Sequence, residues 1–202
     1  MAARIERPKG THDVAPAEMP LWQHVTGEIE RLCGLYGYRK VLTPAFEDTA
    51  LFARTSGAGS DVVQKEMYTF TDRSDRSLTL RPEGTAPICR AYVEHGMHRE
   101  PQPQKLFTIA PMYRYGAPGK GRYREHWQAS VEAIGSADPA LDAELIQLYD
   151  TLLGCLGVLL ASGIALPDAL AALRAVEPPA GRMQRLGGGD APLVVVDYAH
   201  SP

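Results

Sequence analysis

One stretch of the sequence decides the fold: Thr79-Leu80-Arg81-Pro82-Glu83-Gly84-Thr85. Residues 67–71 and 77–80 have the composition of strands, and the polar segment 72–76 between them predicts a β-hairpin. The second strand leads directly into a turn, and a helix follows. The stretch therefore places a carboxylate, Glu83, on a tight turn between a strand and a helix, where a pocket can hold an ammonium group.

A second hairpin follows the first. Residues 105–114 and 125–134 are the two longest strand candidates, and the glycine-rich loop 115–124 between them is cationic. Alternate side chains of a strand point to opposite faces. The later strand separates apolar from polar side chains in this way: Trp127, Ala129, Val131 and Ala133 against His126, Gln128, Ser130 and Glu132. This alternation is typical of a sheet with one solvated face, and a polar face directed at a ligand gives the same pattern.

Two amphipathic helices complete the predicted domain. Apolar residues recur at helical spacing between residues 21 and 36, which predicts a helix that ends at Gly37. Residues 39–43 form a short strand candidate that Pro44 ends. A second helical stripe follows residue 138 and consists of Leu141, Leu145, Leu148, Leu152 and Leu156. The first part of the chain therefore reads as alternating helices and strands.

Composition narrows the classes of function. The 202 residues are 45% hydrophobic and 22% charged with a net charge of -3, which is typical of a globular protein without an overall cationic surface for nucleic acid. No stretch reaches the roughly 18 apolar residues of a membrane span and no export signal is visible, so we expect a cytoplasmic location and no membrane partner. The widely spaced Cys33, Cys89 and Cys155 predict buried free thiols, with neither a disulfide nor a metal site.

Five segments, in order, carry a resemblance to a known family. They are Pro8-Lys9-Gly10-Thr11-His12-Asp13, the region from Tyr36 through Pro44 and Glu47, residues 61–68, residues 79–85, and the region from Met112-Tyr113-Arg114 through Gln128. Residues 8 to about 156 resemble the start of the catalytic domain of a bacterial histidyl-tRNA synthetase, a class II synthetase. The second segment resembles its motif 1 at the dimer interface, and the last resembles motif 2. The resemblance implies an α+β fold, a partial class II aminoacyl-tRNA synthetase catalytic domain with a mainly antiparallel sheet flanked by helices. It also implies a homodimer.

The resemblance also implies a chemistry and a role for each candidate residue. The enzyme would couple histidine to ATP, giving histidyl-adenylate and pyrophosphate, and would then transfer the histidyl group to tRNA. Arg114 would be catalytic, because a planar guanidinium can bridge carboxylate and phosphate oxygens. Histidine would be held by Glu83 and Gln128 at the ammonium, by Thr85 at the carboxylate and by Glu132 at the imidazole. Lys120, Arg122 and Arg124, with Arg114, would contact ATP or the tRNA end, and magnesium would accompany ATP although the sequence shows no ligand set for it.

Two departures from the family pattern affect these expectations. Gly116 stands where motif 2 usually carries a glutamate associated with the adenine. Motif 3, the histidine-specific segments and the anticodon-binding domain have no counterpart after residue 156, so residues 1–156 are expected to form an incomplete catalytic domain. Residues 157–202 instead resemble a helix–loop–strand piece of a UDP-N-acetylmuramoyl-peptide (Mur) ligase, a short α/β tail. Its Arg182, Asp197 and His200 are expected to be bystanders, because the phosphate-binding loop of that family is missing.

Three functions remain open on the sequence. The first is a histidine–tRNA ligase, expected to be poorly active or inactive alone without motif 3, so that enzyme status stays uncertain. The second is a noncatalytic histidine-binding relative, such as the synthetase-like regulatory subunit of ATP phosphoribosyltransferase. The third is a Mur ligase, which only the tail supports. Glu83, Arg114, Gln128 and Glu132 favour the first function, and Gly116 favours the second.

Overall fold

The computed structural model describes residues 4–55, 66–117 and 123–154. The elements in chain order are α1 (Met19–Leu35), β1 (Arg39–Lys40), β2 (Phe46–Asp48), α2 (Thr49–Thr55), β3 (Tyr68–Thr71), β4 (Ser77–Leu80), α3 (Thr85–Glu94), a 3-10 turn (Met97–Arg99), β5 (Gln104–Tyr113), β6 (Glu125–Ile134), α4 (Pro139–Tyr149) and a π-helical turn (Asp150–Gly154). Both predicted hairpins, β3–β4 and β5–β6, are therefore confirmed. The helix predicted directly after residue 84 is α3.

The strands form two three-stranded sheets within these residues. One has the order β1-β5-β6 and the other β2-β4-β3. Only the β1–β5 pairing is parallel, so antiparallel pairing predominates as predicted. The strand expected over residues 39–43 is shorter, since only Arg39 and Lys40 pair with β5. The chain then turns toward β2, and Pro44 has no N–H with which to extend the ladder.

The main core lies between α1, α4 and one face of the β5–β6 hairpin. Its buried residues are Leu32, Cys33, Tyr36, Tyr38, Phe107, Val131 and Leu148. Helix α1 ends where expected, and Gly37 takes the left-handed φ of 79° that lets the chain reverse there. Asp138 caps α4 by accepting a hydrogen bond from the Ala140 amide at 2.9 Å. Leu145 and Leu152 pack against the core as the leucine stripe predicts, whereas Leu156 lies outside the described residues.

Arg81 connects the two sheets from a buried position. Its Nη1 donates to the carbonyl of Thr43 at 2.8 Å, and its Nε donates to the carbonyl of Pro111 at 2.9 Å. Its backbone carbonyl accepts from the Tyr113 amide at 2.9 Å. Burial lowers the pKa of the guanidinium, and the carbonyl dipoles around it provide the compensating hydrogen bonds. Arg81 therefore fixes the strand that leads into the 82–84 turn against β5.

Candidate functional site

Glu83 is held at the start of α3. Its Oε2 accepts a hydrogen bond from the Thr85 amide at 2.6 Å, and its Oε1 accepts one from the Ala86 amide at 3.0 Å. The first amides of a helix have no partner within the helix, and the helix dipole favours negative charge at that end. The carboxylate is therefore fixed in place, while both of its oxygens keep a further lone pair for a ligand.

Glu132 reaches the same place from β6. The hydroxyl of Thr85 donates to Glu132 Oε1 at 2.7 Å, although the two residues are far apart in the chain. Burial raises the pKa of Glu132 above its usual value; the Thr85 hydrogen bond opposes this rise, and the charge of Glu83 adds to it. Three of the predicted histidine-binding residues are thus brought together where α3 begins.

The 82–84 turn lies directly on the polar face of β6. A Cβ built on Gly84 would lie 2.8 Å from the Cβ of Ser130 and closer still to its hydroxyl, so only glycine fits there. Ser130 is accordingly buried. Gln128, the fourth predicted histidine-binding residue, has a buried Oε1 without a hydrogen-bond partner among the described residues. The polar face of β6 is therefore covered by the turn at Ser130, and it stays half-exposed at Gln128 and Glu132.

Arg114 follows the last residue of β5 and lies beside the same turn. Its Nε donates to the carbonyl of Pro82 at 2.8 Å, which is the single hydrogen bond that its side chain makes to the described part of the chain. The other N–H groups of the guanidinium remain available to an anion. Burial, with the charge of Arg114 as a further cause, lowers the pKa of His126.

The three cations expected in the loop have different outcomes. Lys120 and Arg122 lie outside the described residues. Arg124 is held at the base of the loop, where its guanidinium lies 4.3 Å from the centre of the Tyr115 ring and its Nε donates to the Gly116 carbonyl at 3.3 Å. Its backbone amide donates to the carbonyl of Gly10 at 2.7 Å. Arg124 therefore joins the N-terminal segment to the loop.

Further properties of the described residues bear on cofactors and partners. They contain no group of three or more His, Cys, Asp or Glu side chains arranged to bind a metal ion. None of their helices has the length and apolar character to cross a membrane. Cys33 is a buried free thiol, as predicted. Cys89 is free but half-buried, so the burial predicted for it is wrong, and Cys155 lies outside the described ranges.

Sequence reasoning did not assign a role to two residues at this site. Arg81 belongs to the opening stretch, but its carbonyl partners come from segments distant in the chain and carry no sequence signal. Alternation along β6 places Ser130 on the polar face, but its contact with Gly84 depends on how closely the turn approaches the strand. A glycine between a candidate ligand-binding carboxylate and a helix start is the one signal that indicates such an approach.

Together, the antiparallel strands, the flanking helices and this strand–turn–helix site define part of a class II aminoacyl-tRNA synthetase catalytic domain. The model of the histidyl-tRNA synthetase family matches residues 10–173. This chain belongs to that family.

Curated relatives agree with this assignment. The chain is 56% identical over 144 residues to the histidine–tRNA ligase of Desulforudis audaxviator, covering 71% of this chain and 34% of that protein. It is 54% identical over 145 residues to the ligase of Bacillus cytotoxicus, covering 71% of this chain and 34% of that protein. The chain spans about a third of the length of the curated relatives that it matches.

Solved structures show the same similarity. The apo histidyl-tRNA synthetase of S. aureus superimposes with a TM-score of 0.64 and 40% identity, over 76% of this chain and 35% of that one. A Bacillus halodurans protein described as an ATP phosphoribosyltransferase regulatory subunit/histidyl-tRNA synthetase superimposes with a TM-score of 0.64 and 27% identity, over 76% of this chain and 38% of that one.

Proposed function

We propose that this chain provides the histidine-binding part of a histidine–tRNA ligase, which activates histidine with ATP and transfers it to histidine-specific tRNA. The observation that carries the proposal is the Thr85–Glu132 hydrogen bond, which brings a half-buried carboxylate of β6 to the helix start that holds Glu83. A ligand with an ammonium group at one end and a ring N–H at the other matches two carboxylates fixed in this way.

The ammonium of histidine is proposed to bind Glu83 and Gln128. Glu83 keeps its position through two backbone amides and retains lone pairs. The Oε1 of Gln128 is buried and has no partner among the described residues, so an ammonium donor would satisfy it. A cation also offsets the repulsion between the Glu83 and Glu132 carboxylates.

The imidazole is proposed to bind Glu132. A carboxylate that accepts a ring N–H disfavours analogues without that donor, because a bound analogue would cover the carboxylate and leave it unpaired. Thr85 has one hydroxyl donor, and it is used on Glu132. We therefore propose that Thr85 fixes the ligand carboxylate only after it transfers its hydrogen bond from Glu132, which then accepts from the ring.

Arg114 is proposed to act in the activation step. An oxygen of the histidine carboxylate attacks the α-phosphorus of ATP, the bond from phosphorus to the bridging oxygen breaks, and pyrophosphate leaves with that electron pair. Negative charge develops on the phosphoryl oxygens, and the unoccupied N–H groups of Arg114 would stabilise it. Magnesium is proposed to arrive with ATP, since the described residues have no cluster of ligands for it. Lys120, Arg122 and Arg124 are proposed to contact ATP or the tRNA end.

A homodimer is proposed for the complete protein. Phe46 and Phe70 lie on one face of the β2-β4-β3 sheet, with their ring centroids 6.2 Å apart, and are 49% and 42% exposed. An apolar pair on a sheet face is a feature of association surfaces. Light scattering should show a dimer, and the double variant Phe46→Ser/Phe70→Ser should be a monomer. A dimer that persists in the double variant would show that this surface is not the interface.

The cytoplasm is the proposed location.

The domain organisation is also a proposal: a synthetase-like part over 1–156 and a Mur-ligase-like tail over 157–202. The tail lies outside the described residues, and the family match to residue 173 extends across the proposed boundary. Sequencing of the genomic DNA across codons 150–165 tests the junction. A continuous reading frame supports a fusion, whereas a break shows that two unrelated segments were joined.

Histidine binding to the 202-residue polypeptide tests the proposed site. Calorimetry should detect binding of histidine, and Glu132→Gln should weaken it by at least about tenfold, because loss of a charged hydrogen bond costs roughly 1.5–3 kcal/mol. The matched control is Glu94→Gln at the end of α3, whose side chain pairs with Arg90 and is 62% exposed. Absence of binding by the unsubstituted chain, or equal weakening by both variants, would contradict the proposal.

A second candidate is a noncatalytic regulatory subunit that binds histidine without charging tRNA. Gly116 at the adenine-associated position of motif 2 favours it, as does the similarity to the Bacillus halodurans structure. Histidine-dependent exchange between ATP and pyrophosphate in the complete protein separates the two. Exchange that Arg114→Ala abolishes supports the ligase, and histidine binding without exchange supports the regulatory subunit. A Mur ligase rests on the proposed tail alone.

A further inference from the structure

Two buried hydroxyls lie beneath the proposed histidine site. Thr108 of β5 is directly opposite Ser130 of β6 in the antiparallel register, and Ala110 is opposite Gln128. Ser130 and Gln128 are two residues apart on β6, so their side chains share a face. Thr108 is 0% exposed and Ser130 is 3% exposed. The two hydroxyls and the Gln128 amide therefore occupy neighbouring positions on one covered face of the hairpin.

All three groups lack a hydrogen-bond partner within the described ranges. They are Thr108 Oγ1, Ser130 Oγ and Gln128 Oε1. A buried hydroxyl or amide oxygen without a partner is costly, and folded proteins rarely retain several of them together. The contact of Ser130 with the Gly84 backbone closes the face from above, so no side chain can enter from the turn to satisfy them.

An internal water molecule matches this arrangement. A buried water makes about three hydrogen bonds to polar groups that are otherwise unsatisfied. Each hydroxyl can donate or accept, and an amide oxygen accepts through two lone pairs. The three groups are not hydrogen-bonded to one another, so a bridging molecule satisfies them where direct contact does not.

We propose that Thr108 and Ser130 are positioning residues for Gln128: with Gln128 Oε1 they bind one internal water, which holds the amide in the orientation that receives the ligand ammonium. One lone pair of Oε1 accepts from the water, which leaves the second for the ammonium. The inference rests on the proposed histidine site for its functional part. The orientation of the Gln128 amide does not depend on the ligand and should already be present in the ligand-free chain.

The ligand-free chain gives the first test. In NMR spectra of the folded polypeptide, the side-chain amide protons of Gln128 should exchange slowly with solvent. Thr108→Val keeps the shape and removes the hydroxyl, and it should speed this exchange at least about tenfold, as should Ser130→Ala. Thr108→Ser keeps the hydroxyl and should preserve slow exchange. Fast exchange in the unsubstituted chain, or equal exchange in Thr108→Val and Thr108→Ser, would overturn the inference.

Histidine affinity gives the second test. Thr108→Val should weaken histidine binding by about tenfold through the lost orientation of Gln128. The same substitution should have no further effect in a Gln128→Met background, because coupled residues are non-additive. A purely structural role for Thr108 would weaken binding equally in both backgrounds and would overturn the inference. If the unsubstituted chain binds no histidine, the proposed function fails, and the amide exchange still decides whether Thr108 and Ser130 orient Gln128.

Discussion

The two faces of the β5–β6 hairpin differ in what they do with buried groups. The face that carries Phe107 and Val131 is closed by α1 and α4 with apolar contacts. The opposite face lies against α3 and the 82–84 turn, and it carries the buried Thr108 and Ser130 beside the half-buried Glu132. The two faces therefore serve different ends. The apolar face supplies stability, and the polar face keeps hydrogen-bonding capacity that folding leaves unused.

Buried polar groups on the polar face lower the stability of the fold, and apolar burial on the other face offsets this loss. Each buried polar group without a partner costs about 1–3 kcal/mol, and the raised pKa of Glu132 shows a carboxylate whose charge burial disfavours. Natural proteins retain such costs mainly at functional sites. The contrast leads to four predictions, from the largest expected effect to the smallest.

The largest effect is expected when the apolar face is opened. Leu32 of α1 is completely buried in the cluster that covers this face. Leu32→Ala should lower the free energy of unfolding by about 2.7–5 kcal/mol, since a cavity is left as well as lost burial. Urea denaturation measures the change.

The matched control for that prediction is Leu42→Ala, because Leu42 is 72% exposed. It should change the unfolding free energy by less than about 0.5 kcal/mol, as surface substitutions usually do. Comparable losses for the two leucines would show that the apolar face is not the stabilising half of the hairpin.

The next effect concerns how closely the turn approaches the polar face. Gly84→Ala adds a methyl group against Ser130 and should cost about 1–3 kcal/mol, as expected for overpacking. Ser130→Gly in the same chain should restore most of the loss. Gly27→Ala is the control: Gly27 lies within α1 with nothing within 4 Å of a built Cβ, so alanine there should stabilise by about 0.5–1 kcal/mol. If Ser130→Gly does not restore the stability of the Gly84→Ala chain, the loss does not come from overpacking against Ser130.

The sequence predicts the two faces better than it predicts what covers them. Alternation along residues 125–134 separates Val131 from Ser130 and Glu132 correctly. Trp127 is the exception, because it lies at the edge of the packed face, 48% exposed, with its ring 4.9 Å from that of Trp22. Alternation depends on local geometry, whereas edge effects depend on neighbours that periodicity does not specify.

Contacts between distant segments were not predictable in the same way. The Thr85–Glu132 hydrogen bond and the capping of α3 by Glu83 depend on where α3 crosses β6. Strand β1 has only two paired residues, and its parallel partner β5 lies far along the chain. Such pairings require the assembled fold, and the family resemblance supplied the expected site residues that spacing alone did not.

A smaller effect is expected from the charge on Glu132. Its pKa in the folded chain is raised, so the folded state binds more protons than the unfolded state between the two pKa values. This contribution to stability is present below the unfolded value of about 4.3 and is lost as pH rises through the folded pKa. Glu132→Gln has no such titration, so its stability relative to the unsubstituted chain should increase as pH rises above the unfolded value and level off above the folded pKa, while histidine binding is weakened. A pH-independent difference in stability would show that burial does not disfavour the Glu132 charge.

The smallest effect concerns reaction rates of the two described thiols. Burial raises the pKa of Cys33, on the apolar side, to about 11, so only about one molecule in a thousand is thiolate at pH 8. Cys89 lies one helical turn after Thr85 on α3; burial is the main cause that raises its pKa, and the charges of Glu132 and Glu83 raise it further. Because Cys89 is only half-buried, iodoacetamide should modify it slowly in the folded chain, whereas Cys33 should react only on unfolding.

Peptide mapping by mass spectrometry distinguishes the thiols and connects this result to the site. Saturating histidine should slow the alkylation of Cys89, because a ligand between Glu83 and Glu132 covers the turn from which that helix starts, and it should leave Cys33 unchanged. The Glu132→Gln chain is the control in which histidine should give little protection. Equal rates for the two thiols would contradict the contrast between the faces, whereas unaltered Cys89 alkylation at saturating histidine would place the ligand away from α3.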